Sequence, residues 1–333
     1  MKYCLPSART QVRKPFNMAT ALEELNESLE AVDQSYKAMC AAEGRVLEIE
    51  EVIADSHAAM ESISKYGVSS ANMAILNKDN SLDKALGLEN LVIESLESLS
   101  ASTKIALQQR YVAGLEELNA NASKSVWQHI KDFFAKIIQW LKDFFTNTAK
   151  MVNIVKQLKF ENLDENATAT VHKADDADKM VAACITAVEL VESFAKNPVY
   201  DENGNTDDLT SGEVATKAES LNISKYPKEN GKLKSLGWDA QRAARCQSNW
   251  VKLVAETGSR MDKAWKDLQA DYRKVTAGSG EDPAKAAKIA SKAFNKWKQA
   301  ARLTGQYNAC VKAVGTTLLT LSKSIKAEPP AAQ

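Results

Sequence analysis

Proline and glycine are scarce, seven and thirteen in 333 residues, which argues against a turn-rich sandwich or a glycine-rich nucleotide fold. No GxGxxG or GxxxxGK[ST] phosphate loop occurs. The five cysteines, Cys4, Cys40, Cys184, Cys246 and Cys310, form no CxxC pair and no metal spacing, so a reducing interior is expected. The three histidines, His57, His129 and His172, belong to no HExxH, ExxH or triad pattern, which removes zinc and di-iron chemistry. The acidic loop 201–208 has Thr206 and Gly212 where an EF-hand needs Gly and Glu, so it reads as a solvated turn. Glu48, Glu50, Glu51 and Asp55 spread over both sides of a helix and read as a solvated face. No catalytic constellation, metal site or cofactor is expected.

Long apolar runs are also missing, so no segment reaches the ~18 residues of a spanning helix and the chain is expected to be soluble. Residues 1–17 carry Lys2, Arg9, Arg13 and Lys14 and two prolines without an apolar core, so they are not a secretory signal. They read as a disordered arm or as sequence ahead of a true start at Met18.

What is present is helix-forming sequence in a length suited to two or three packed units. Apolar residues from Leu22 to Ile63 recur every three or four positions, which predicts two helices with a break near Gly44. A short helix is expected around residues 69–76, and the Ser-Leu-Glu repeat of 81–100 reads as a marginal helix or exposed connector. The strongest element spans 126–145. Trp127, Ile130, Phe133, Phe134, Ile137, Trp140, Leu141 and Phe144 make an apolar face opposite Lys131, Lys136 and Lys142. Such a face either packs into a core or lies in a membrane interface, and the near balance of Lys and Asp favours the core. A helix is expected over 175–195. Beyond it, two long helices separated by the turn 278–281, the second launched by Asp282 and Pro283, predict an αα-hairpin. The fold class is all-α: an elongated multi-helix bundle with a long C-terminal hairpin and a disordered tail at 327–333.

Charge is balanced overall, 43 basic against 43 acidic, but unevenly placed. Residues 1–97 hold 9 basic and 16 acidic side chains, net −7, and residues 98–333 carry +7. Residues 217–326 alone hold 22 basic against 9 acidic, net +13. Such segregation fits either neutralisation of one part by another or a basic surface for a polyanion.

The order of features is informative: an acidic helical leader, Tyr66-Gly67-Val68-Ser69 leading into Met73-Ala74-Ile75-Leu76-Asn77-Lys78-Asp79-Asn80, the Leu-Glu-Ser repeat, then Trp127-Gln128-His129-Ile130-Lys131 and its aromatic continuation. Over about residues 20–150 this resembles the internal head proteins of large tailed bacteriophages. The resemblance implies synthesis in the bacterial host cytoplasm, removal of an acidic propeptide (18–97) by a prohead protease, and residence in the virion, inside the head. The implied partners are that protease, the capsid or other internal head proteins, and genomic DNA, bound without sequence preference. It also implies cleavage after Glu in a small-x-Glu triplet. Ser95, Leu96 and Glu97 fit where the leader ends; triplets ending at Glu23, Glu30, Glu43 and Glu61 fit as well. The basic hairpin 209–326, after a central region 98–200, is the expected DNA-contacting part, with Lys285, Lys288, Lys292, Lys296 and Lys298 the candidate phosphate-binding residues. Two other readings remain: a membrane-active, pore-forming or toxin-like protein using 126–145, and a plain helical scaffold.

Overall fold

The computed structural model describes residues 18–67, 101–196, 218–277 and 283–326. Its elements are α1 (Met18–Tyr66), α2 (Ala101–Val155), β1 (Thr168–His172), α3 (Ala174–Lys196), β2 (Lys228–Lys232), α4 (Ala240–Ala277) and α5 (Pro283–Ser322), with three short 3-10 turns around β2. At 1.5 Å per residue, α2 is about 80 Å long, so the bundle is elongated. The all-α expectation holds. The expected helix at 69–76, the connector 81–100, the loop 201–208, the turn 278–281 and the termini 1–17 and 327–333 lie outside the described residues.

α1 corrects the expected break. It runs through Gly44 without interruption, because Ala42 and Val46 on either side are buried and their packing outweighs the ~1 kcal/mol that a mid-helix glycine costs. Its buried residues Leu25, Val32, Met39 and Val46 recur every seven positions. That is a coiled-coil seam, and α2 is its antiparallel partner. Ser28 accepts from the Asn147 amide at 2.9 Å near one end of the pair, Arg45 meets Asp132 at 2.9 Å farther along, and the Gln108 amide donates to the Ile63 carbonyl toward the other end. Gly67, at φ +74°, closes α1 with its N–H on the Ile63 carbonyl.

The aromatic face of α2 is core. Ile130, Phe133, Phe134, Ile137, Trp140, Leu141 and Phe144 are buried. Phe133 meets Phe294 edge-on at 5.1 Å, Phe134 meets Trp297 at 4.7 Å, and Phe144 meets Tyr307 at 5.8 Å, all three partners lying on α5. Trp127, near the start of this stretch, is half-buried beneath the Lys131 ammonium. No helix among the described residues is long and apolar enough to cross a membrane.

α3 packs against both helices of the α4/α5 hairpin. Its apolar side, including Ala177, Met180, Cys184, Val188 and Val191, is buried. The sequence reading missed a two-stranded antiparallel ribbon pairing Thr168 with Lys232 and His172 with Lys228. It is fastened by the Trp238 indole N–H, which donates to the His172 carbonyl at 2.8 Å, and by Leu233 and Leu236 packing beneath. The end of α5 is tied back to this region: Asp164 N–H donates to the Ser324 carbonyl and Lys326 N–H to the Asn162 carbonyl, both at 2.9 Å.

Candidate nucleic-acid interface

α5 carries seven lysines and arginines and no acidic residue, while α1 carries eleven acidic residues against three basic. The two helices lie side by side and antiparallel. Asp33 meets Lys312 at 3.3 Å and Glu43 meets Arg302 at 2.7 Å. The paired residues are ten apart on each helix, about 15 Å along the axis. The Glu43 carboxylate is largely buried, while the Arg302 guanidinium above it is mostly solvent-facing.

Between these ion pairs lies a cleft of about 550 Å³ lined by Tyr36, Trp140, Gly305, Gln306 and Asn308 among others. The Tyr36 and Trp140 rings are 5.5 Å apart. Gly305 faces the Tyr36 ring, where a Cβ would stand in ordinary van der Waals contact at 3.4 Å. Trp140 is fully buried, and its indole N–H has no hydrogen-bond partner. Tyr36 stands above the ordinary phenol pKa, chiefly through burial.

The lysines singled out from the sequence do not form one exposed row. Lys292 is half-buried, and the side chains of Lys285 and Lys288 lie outside the described ones. Lys298 lies over the Phe294 ring, 5.3 Å from its centroid. Lys296 is the clear departure. Its ammonium is buried between the hairpin helices, 3.0 Å from the Asp271 carboxylate, and burial lowers its pKa despite that neighbour. A lysine held this way is not available to a phosphate backbone. The signal was legible: Asp271 follows Ala264 and Leu268 at core spacing, and Lys296 lies between Ala293 and Ala300 at core spacing. Arg302 and Lys312 were missed because neither belongs to a run of lysines; the missed clue was their matching ten-residue interval to Asp33 and Glu43 on α1.

The other strong electrostatic contacts fix the helical body. Arg260 donates to both oxygens of Glu192, at 2.9 and 2.7 Å, and this hydrogen bonding holds the carboxyl below its usual pKa. Arg242 bridges Asp175 and Asp178 and ties α4 to the start of α3. No cluster of metal-ligating side chains occurs among the described residues. Ser95, Leu96 and Glu97 lie outside the described residues, between the end of α1 and the start of α2.

Residues 17–159 match the family model of phiKZ-like phage internal head proteins. The matched stretch takes in α1, α2 and the segment between them, including the candidate cleavage triplet. The chain matches none of the curated proteins and none of the solved structures.

Proposed function

We propose that this chain, whose residues 17–159 match the family model of phiKZ-like phage internal head proteins, is a non-enzymatic protein packaged inside the phage head. Its acidic leader is cut after Glu97, and its basic C-terminal hairpin contacts the genome, with which it can be ejected. The carrying observation is the charge partition: a helix of net −8 lies against a helix of net +7, with two ion pairs joining them. In the intact chain each helix neutralises the other. Once the leader is gone, residues 98–333 carry +7, and each phosphate they neutralise releases condensed counterions, which gives salt-sensitive binding without sequence preference. The membrane-active alternative loses its support, because the face it would insert is occupied by α1 and α5.

The cleavage is checked by mass spectrometry of purified particles. The expected result is a non-tryptic peptide beginning at Ser98, with coverage of 18–97 lost; tryptic peptides running intact across Glu97 in mature heads, with no new terminus at Ser98, would remove the processing step. Changing Glu97 to Gln should abolish that new terminus.

A further inference from the structure

Resting on this DNA-contacting reading, we propose that the α1/α5 seam is itself a polyanion site, occupied within the intact chain by α1. The ligand is the phosphate backbone of duplex DNA, and the residues that take it are Arg302 and Lys312, with the amides of Gln306 and Asn308 between them. Asp33 and Glu43 hold the places that phosphates would take.

Three observations converge. First, Arg302, Gly305, Gln306, Ala309 and Lys312 all line one cleft, and steps of three and four residues put them on one face of α5. Second, ten residues of α5 separate the two cations, about 15 Å along its axis, a span that phosphates roughly two or three nucleotides apart on one strand can cover, so one strand can meet both. Third, the covering helix is an acidic strip whose carboxylates meet those cations at the same interval, while both cationic side chains keep substantial exposure: 62% for Arg302 and 35% for Lys312. A polyanion approaching α5 therefore competes with α1 for groups already at the surface. α1 is an intrachain inhibitor, and affinity is set by how firmly its two carboxylates hold.

The test uses the full-length protein and a fluorescein-labelled 30-base-pair duplex, with anisotropy followed over a salt series. Asp33→Asn with Glu43→Gln frees both cations. Affinity at low salt should rise at least about fivefold, and the slope of log affinity against log salt should steepen by about two, roughly one per cation turned to phosphate. Glu48→Gln with Glu51→Gln makes the same change in net charge on exposed positions of the same helix and should move affinity less than about twofold. Adding Arg302→Gln and Lys312→Gln to the first pair should erase the gain. Asp33→Asn alone, at a side chain 60% exposed, leaves the fold intact and should give about half the slope change.

An equal gain from the Glu48/Glu51 control, or a gain that survives loss of Arg302 and Lys312, would overturn the seam as the site. A duplex that binds the trimmed 98–333 product from particles but shows no gain with the Asp33 variants overturns the seam alone. If no form binds DNA, the seam and the DNA reading fall together.

Discussion

A single side chain, Asp271, accounts for the departure of Lys296 from the basic stripe of α5. Lys296 belongs by spacing to a basic stripe, yet it is 9% exposed and faces Asp271. A one-helix reading ranks lysines by their own periodicity, whereas burial here is set by the facing helix of the hairpin. Removing one member takes a buried ion-pair partner from the other charge, so Lys296→Met should destabilise the protein by about 3 kcal/mol. Asp271→Leu combined with Lys296→Met should recover most of that loss. Urea unfolding at pH 7 measures both, and a near-neutral single variant would mean that Asp271 has water access in solution. DNA affinity should be unchanged in the double variant, because neither group faces outward.

At the scale of elements, the sequence carried the helices and their apolar faces well. The face at 126–145, the start of α3 and the long hairpin needed only 3.6-residue spacing, because each is long and strongly amphipathic. What escaped was set by partners. β2 reads Lys-Glu-Asn-Gly-Lys, with none of the branched or aromatic residues that mark a strand; pairing to β1 and the packing around Trp238 make it one. Gly44 misled in the opposite direction, since a glycine in a helical pattern is an ambiguous signal until the packing on either side is known. Two glycines therefore behave oppositely. Nothing lies within 4 Å of a Cβ at Gly44, whereas at Gly315 a Cβ would come within 3.1 Å of the Trp250 ring and collide with Met151, both buried. Gly44→Ala should raise stability by about 0.5–1 kcal/mol through helix propensity. Gly315→Val should lower it by about 1–3 kcal/mol or more through overpacking. Thermal melts that moved in the same direction for both would contradict this placement.

For the whole molecule, the family relation and the acid-to-base gradient were visible in the sequence, but the physical role of the leader was not. α1 is a structural member of the bundle, not an appendage. Leu25, Val32, Met39, Val46 and Ile63 are buried, and at about 1.5–3 kcal/mol each their burial is worth on the order of 10 kcal/mol before the cost of association. A cut after Glu97 alone therefore leaves α1 seated. The triplets ending at Glu23, Glu30, Glu43 and Glu61 all lie within α1, where helical backbone is closed to an extended-chain protease until α1 loosens. With a specific protease sequence placed at Glu97, the nicked chains should co-elute in gel filtration under native conditions and separate in denaturant. Separation without denaturant would mean that one cut is enough to expose α5.

The environment of the indoles turns this into something that can be watched. Trp140, Trp238, Trp250, Trp265 and Trp297 are buried and Trp127 half-buried, so the intact protein emits at short wavelength, and full unfolding moves the whole band to the red. Departure of α1 alone takes the Tyr36 ring from beside Trp140. Light absorbed by that tyrosine then no longer passes to the indole, and one emitter among six meets water. A small red component, growing as the tyrosine-sensitised signal fades, times the exit of the leader in a cuvette while the rest of the bundle stays folded.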